Sequence, residues 1–313
     1  MMYSALTTPV LLLIFNRPET TRAVFEEVRK ARPQRLYVAA DGPRHHVPGD
    51  VKDCAAARDF VAHIDWQCEV RTLLRTENLG CKRAVSSALD WFFEHEEEGI
   101  ILEDDCVPAP AFFGFCQALL ARYRNDERVM MIGGTNHLQD RFQTADSYMF
   151  SRYFNIWGWA SWNRVWKHYD VSMKGWEQKK RERVLDMLYS HKAVKEHLTR
   201  TFDLVARGEL DTWDAQLFYC CLFNGGLSIV PRVNLISNIG AMGTHSVLTS
   251  PNNFTPVFPL EISNLIHPLD VKQNEVFDSM VFDQQFDKSF AEKWLLRGKG
   301  LSHQVKRWLR NRT

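Results

Sequence analysis

The sequence predicts an α/β protein built on an open, mostly parallel sheet with helices on both faces. Short apolar runs recur through the first third of the chain, and segments of helical periodicity alternate with them. Three of these runs end abruptly in polar or turn-forming residues: Asn16-Arg17-Pro18, Asp41-Gly42-Pro43 and Glu103-Asp104-Asp105. Strands alternating with helices make parallel βαβ units, whose polar strand ends gather on one edge of the sheet, where ligands bind.

Val10–Phe15 is continuously apolar and reads as a buried strand, and 19–31 follows as a helix with Val24, Phe25 and Val28 on one face. Leu36–Ala40 is the second strand, closed by the Asp41-Gly42-Pro43 turn signal. Asp53–His63 suits a helix, Val70–Leu74 a third strand, and Leu79–Glu94 a helix presenting Ala84, Val85, Ala88, Leu89 and Phe92. The acid-tipped strand 99–102 precedes a helix over about 111–123. The second half is less regular. Val129–Ile132, Tyr148–Ser151, Leu227–Val230 and Val233–Ser237 suit strands, Glu177–Arg207 a long charged helix, and Asp214–Phe223 another helix. From about Pro251 the chain reads as loop. No repeat or low-complexity linker divides it, so one catalytic domain with a basic tail is expected.

Composition excludes several classes. A formal charge of +1 argues against a general nucleic-acid binder. No run of 18 apolar residues is present, so no spanning helix is expected, and the first ten residues lack a basic leader. Seven cysteines without a Cys-x-x-Cys suggest neither a disulfide framework nor a zinc site, and a reducing cytoplasm is the simplest home. Six of ten tryptophans fall between Trp157 and Trp213, which suits either an aromatic-lined acceptor site or core.

Glu103, Asp104 and Asp105 are the most informative residues. Adjacent carboxylates repel one another unless water or a hard divalent cation relieves them. A cation held by one or two carboxylates completes its shell with substrate phosphates. The cluster therefore suggests a metal and diphosphate site, with a solvated acidic turn as the alternative.

Taken in order, Phe15-Asn16-Arg17-Pro18, Ala40-Asp41-Gly42-Pro43-Arg44, Glu77-Asn78-Leu79-Gly80, Leu102-Glu103-Asp104-Asp105, Gly158-Trp159 and Trp213-Asp214 form a pattern. Over residues 8–245 it resembles the GT-A nucleotide-sugar glycosyltransferases. The nearest branch is the N-acetylglucosaminyltransferase I type, which carries Glu-Asp-Asp in place of Asp-x-Asp, with its soluble bacterial relatives. The resemblance implies a GT-A domain over 1–250, with a Rossmann-like nucleotide-binding half at 1–107 and an acceptor half at 108–250. A C-terminal extension would cover 251–313.

The resemblance further implies a metal-dependent inverting enzyme moving a sugar from a UDP-sugar to a hydroxyl of a saccharide or lipid-linked glycan. Asp105 would bind manganese or magnesium, with Asp104 and Glu103 placing ribose and sugar hydroxyls or metal-bound water. Asp41 would recognise uridine at its strand end, although Asp-Gly taken alone reads as a turn. Phe15, Arg17 and Arg44 would face the nucleotide, the two arginines through charge-assisted bonds. Lys82 or Arg83 would face the diphosphate at a helix N-terminus. Asp214 would be the general base, with Asp211 as the alternative. The macrodipole also favours an acid at the position of Asp214. Trp213 would pack near a sugar, and Gly158-Trp159 would lie under the donor sugar. His245 would be a second metal ligand.

Two other readings stand beside this one. A nucleotidyltransferase making an activated sugar shares such a half-fold, but normally has a glycine-rich loop after the first strand, and Phe15-Asn16-Arg17-Pro18 has no glycine. A non-catalytic nucleotide- or glycan-binding protein is the other. Residues 293–313 carry seven basic side chains and no acid, interleaved with Trp294, Leu295, Leu301, Trp308 and Leu309. That pattern suits either an interfacial helix on anionic lipid at the inner face of the membrane or a docked helix with solvated charges.

Overall fold

The computed structural model describes residues 6–240 and 255–284. The first half alternates as expected. Strand β1 (Val10–Ile14) leads to α1 (Pro18–Ala31), β2 (Arg35–Ala40), α2 (Asp50–Arg58), β3 (Glu69–Leu74), α3 (Gly80–His95) and β4 (Glu98–Glu103). Every residue of β1 is buried, so both faces must be covered. Helices α1 and α3 contribute to that cover. Helix α1 turns Thr21, Val24, Phe25 and Val28 inward, and α3 turns Ala84, Ala88, Leu89, Phe92 and Phe93. Helix α2 begins earlier than its periodicity suggests and ends at Arg58, with a 3₁₀ turn over Asp59–His63.

The second half adds β5 (Cys106–Pro108), α4 (Pro110–Tyr123), β6 (Val129–Gly133), β7 (Tyr148–Ser151), β8 (Trp159–Trp162) and the short α5 (Asn163–Trp166). Then come α6 (Trp176–Arg181), α7 (Val184–Leu188), α8 (Lys192–Ala206), α9 (Asp214–Phe223), β9 (Leu227–Pro231) and β10 (Ile236–Asn238). The predicted single helix over 177–207 is three. Arg183 breaks it with a left-handed φ of 55°, and Tyr189 is extended. The pieces pack with α9 around Trp176, Phe202 and Tyr219 as a separate apolar cluster.

The main sheet has eight strands in the order β3-β2-β1-β4-β8-β6-β9-β7. Strands β3, β2, β1 and β4 are mutually parallel, β6 and β9 are parallel to each other, and β8 and β7 run antiparallel to their neighbours. From β1 the chain winds to β2 and β3 on one side, then returns to lay β4 on the other. That reversal opens a crevice at the carboxyl ends of β1 and β4, the switch point of such sheets. Strand β8 was not anticipated. Trp-Ala-Ser-Trp has no β-branched run, yet all four residues are buried between β4 and β6. A separate ribbon pairs β5 with β10, Cys106 opposite Asn238, directly beyond the acids.

Residues 255–284, expected as a loose extension, dock on the body. Gln273 bridges to Phe150, and Phe277, Val281 and Phe282 are buried. Buried Asp278 accepts bonds from Ser151 Oγ, the Arg152 N–H at 2.9 Å and Gln273 Nε2 at 2.7 Å.

Candidate functional site

The β1–β4 switch point brings together Phe15, Arg17 and the acids that close β4. Asp104 and Asp105 follow β4 and are almost wholly buried. Arg17, just after β1, reaches across to both. Its Nη1 donates to Asp105 Oδ2 at 2.8 Å and its Nη2 to Asp104 Oδ1. The Phe15 N–H donates to Asp104 Oδ2 at 3.2 Å. Burial raises the Asp104 carboxyl to about 6, with Arg17 opposing and Asp105 adding to the rise. The two acids hold Arg17 charged.

Glu103 differs from its neighbours. Its Oε1 is buried without a hydrogen-bond partner. Burial first, then Asp105, Asp104 and Asp214, push its carboxyl well above the usual range. An orphaned carboxylate oxygen beside two further acids is a hard-oxygen donor set, and it fits a divalent cation. Among the described residues no group of three acids, imidazoles or thiols converges to hold such an ion alone. Its remaining ligands would have to come from a substrate. Asp105 and Glu103 are the residues that would contact it.

Asp105 is also held from behind. Cys106 Sγ donates to its Oδ1 at 3.3 Å, with Asn238 Nδ2 at 3.5 Å. The Ile239 N–H donates to its carbonyl at 2.8 Å. A Cβ on Gly240 would stand 2.1 Å from Asp105 Oδ2 and 3.1 Å from Arg17 Nη1, so only glycine fits there. Neither Asn238 nor Gly240 carries a signal that sequence reasoning could have tied to the acids, because β5–β10 pairing alone brings them there, whereas Cys106 adjoins Asp105 in the chain.

Beside this centre, Asp41 ends β2. Its carboxylate accepts from Gly42 N–H (2.9 Å), Asn78 Nδ2 (2.9 Å), Leu79 N–H (3.0 Å) and Gly80 N–H (3.2 Å). It therefore serves the α3 N-terminus, the position at which the sequence suggested an anion site. Arg44 is clamped on Asp50 through Nε at 2.6 Å and Nη2 at 3.0 Å, and its guanidinium lies 5.1 Å from the Phe15 ring centroid. Asn16 Nδ2 completes the network at 2.7 Å from Asp50 Oδ1. Arg44 holds the Asp50 carboxyl down at about 2. The first residue of α2 was missed as a partner, and its only signal was an acid opening a helix. Phe15 and Lys82 are half-buried, and Arg83 is exposed.

The second half delivers Asp214, the first residue of α9. Its Oδ1 accepts from Thr212 Oγ1 and the Ala215 N–H. Asp211 is exposed and lies against Gly80. Cys81 shows how closely these elements meet. Burial, then Glu103, Asp214, Asp211 and Asp41, push its thiol up to about 12.

The tryptophans require a correction. Trp159 and Trp213 are 1% and 2% exposed and stack with centroids 6.0 Å apart. Neither ring has a face to offer a sugar, so they form the floor beneath the site. Gly158 has φ +59°, and a Cβ there would meet Ile236 Cδ1 at 2.4 Å, so it too is core. Of the six tryptophans between 157 and 213, only Trp157 is more than marginally exposed. It packs edge-on to His137 at 5.5 Å, beside Asn155, whose Nδ2 meets His137 Nε2. Burial lowers His137 to about 4, so its imidazole is neutral at pH 7. His245 and the basic tail lie outside the described residues.

No family model matches this chain, and no curated protein matches it. Solved structures that it resembles include the following three. HddC from Yersinia pseudotuberculosis is 10% identical at TM-score 0.32, covering 52% of this chain and 80% of its own. The inositol-1-phosphate CTP transferase from T. maritima is 11% identical at 0.32, covering 53% and 74%. The apo form of a UDP-glucose pyrophosphorylase is 7% identical at 0.34, covering 73% and 92%. Likenesses at these scores assign no activity, and the fold class rests on the chain's own strand order.

Proposed function

We propose that the protein is a glycosyltransferase moving a sugar with inversion from a UDP-sugar to a hydroxyl of a saccharide or lipid-linked glycan. The observation that carries this reading is the buried cluster of Arg17, Asp104 and Asp105 at one switch point, with Asp214 of the opposite half near enough to help raise the Glu103 carboxyl. Diphosphate would lie at the mouth between β1 and β4, where Arg17 can offer a planar pair of donors to phosphate oxygens. Manganese or magnesium bound near Asp105 and Glu103 would neutralise charge on the departing diphosphate. Asp104 keeps Arg17 and the Phe15 backbone in register. Asp214 removes the proton from the acceptor hydroxyl as that oxygen attacks the anomeric carbon, and the Ala215 N–H and Thr212 hydroxyl orient its Oδ1. Asp211, exposed beside Gly80, is the alternative base.

Phe15 and Arg44 supply a flat edge for the uracil. Asp41 acts through the loop it holds, since its oxygens already serve Asn78, Leu79 and Gly80. In this reading the enzyme would work in the cytoplasm, at the inner face of the membrane if the acceptor is lipid-linked. Among the described residues no helix is long and apolar enough to cross a membrane. Sedimentation with anionic vesicles, full chain against a truncation after Leu296, tests the tail, and equal pelleting of both removes it from the reading.

Calorimetric titration with UDP, with and without manganese, followed by a hydrolysis screen over UDP-sugars, tests the function. Manganese-dependent UDP binding with hydrolysis of one donor supports it. Sugar-1-phosphate and UTP giving pyrophosphate would instead favour a nucleotidyltransferase. UDP binding without turnover of any donor or acceptor would favour a binding protein. A product that retains the donor's anomeric configuration would remove Asp214 as an inverting base.

A further inference from the structure

We infer that Arg17 is the resident counter-charge of Asp104 and Asp105 in the donor-free protein, and that a divalent cation reaches Asp105 only when Arg17 turns to an incoming diphosphate. The inference rests on the donor reading above and adds an order of events to it. Cation and donor enter together, and the cation alone is excluded.

All four oxygens of the two acids are engaged within the chain. Asp104 Oδ1 and Asp105 Oδ2 take Arg17, Asp104 Oδ2 takes the Phe15 N–H, and Asp105 Oδ1 takes Cys106 and Asn238. Arg17 is also the member that faces water. Its side chain is 31% exposed, against 4% for Asp104 and 12% for Asp105. Gly240 closes the pair from another side, against both Asp105 Oδ2 and Arg17 Nη1. An ion approaching Asp105 from solvent therefore meets a guanidinium first, and must displace it from its charge-assisted bond to Asp105.

A diphosphate changes that balance. It gives Arg17 a bidentate anionic partner within reach of a side-chain rotation, because Arg17 sits on the loop before α1 and no backbone need move. Turning Arg17 outward frees Asp105 Oδ2 and Asp104 Oδ1 together. A divalent ion then replaces a single positive charge beside the two acids and Glu103, whose buried Oε1 has no partner.

The test follows free manganese by electron paramagnetic resonance, with UDP binding measured in parallel by calorimetry. Wild type should bind manganese weakly alone and at least tenfold more tightly with saturating UDP. Arg17→Ala should bind manganese alone about ten- to a hundredfold more tightly than wild type, the scale of one lost charge-assisted hydrogen bond. Arg17→Ala leaves a buried acid bare, which threatens folding. Arg17→Ala/Asp104→Asn removes both charges, leaves Asp105 free, and should show the same gain. A folded variant that binds manganese no more tightly than wild type overturns the inference. So does a wild type that binds manganese equally with and without UDP. If wild type binds UDP with manganese but the variants gain nothing, only the role of Arg17 falls. If wild type takes up neither, the donor reading falls and this inference with it.

Discussion

Two polar clusters lie along the same edge of the sheet, and burial acts on them differently. At the β1–β4 mouth the buried groups are ionisable: Asp104 and Asp105 stay in place because Arg17 spans them, while burial pushes Glu103 toward its neutral form. Beyond β8, at the end of β6, His137, Asn155 and Trp157 form a cluster that burial keeps neutral. Charge is thus concentrated at the switch point and removed next to it. Charged groups withdrawn from water act strongly on a ligand, whereas neutral buried groups mainly hold shape. Substitutions at the first cluster should cost activity, and substitutions around the second should cost stability.

The sharpest break would come at Asp105. Asp105→Ala should lower sugar transfer by about 10³-fold or more, the upper range for loss of an electrostatic contact at a reacting centre. It should weaken UDP binding only when manganese is present. Unchanged turnover in that variant would erase the distinction between the clusters. Next comes the base. Asp214→Asn should reduce turnover by about 10²-fold while UDP affinity holds, the common scale for general-base loss. If Asp211→Asn carries that loss instead, the exposed acid beside Gly80 takes the role.

Trp159 tests the floor between the clusters. Trp159→Ala should destabilise the fold by about 3–5 kcal/mol, as for other buried aromatic truncations. Chemical denaturation measures it. A raised donor KM with an unchanged denaturation midpoint would restore the sugar-contact reading that burial has removed.

The first half of the chain was legible because its polar residues sit where its periodicity stops. Apolar runs end in Arg17, Asp41 and Asp105, and a parallel sheet carries such ends to one edge. What stayed hidden depends on partners distant in sequence. Trp-Ala-Ser-Trp becomes a central strand only because β4 and β6 flank it. Trp159 and Trp213 looked like ligand aromatics through the family pattern, which does not distinguish a buried stack from an open face. Asp41 looked like a nucleotide acid, yet its oxygens are taken by a loop nearly forty residues away. Asn238 and Gly240 reach Asp105 through a two-stranded ribbon whose strands are over a hundred residues apart.

The smallest effect concerns His137, where the two clusters should differ in sign with pH. Burial alone lowers its imidazole from 6.5 to about 4, because charging it would strand a cation against Trp157, Tyr153 and Asn155. The unfolded chain takes up a proton near pH 6.5 that the folded chain refuses. Stability from this residue is therefore complete above about pH 6.5 and is lost as pH falls toward 4. The shift corresponds to about 3 kcal/mol at the acid end. Asp104 works the other way. Its carboxyl is raised from 3.8 to about 6, so its contribution is complete below 3.8 and is lost as pH rises through 6. Whole-protein stability between pH 4 and 6.5 thus mixes opposing slopes, and only a difference against a variant separates them. His137→Gln keeps a polar side chain of similar reach and removes the titration. Urea midpoints at intervals from pH 7 to pH 4 should fall less steeply in the variant than in wild type. Parallel curves would mean that His137 takes up its proton in the folded protein much as it does in the unfolded chain, and the cluster beyond β8 would then gain charge as pH falls.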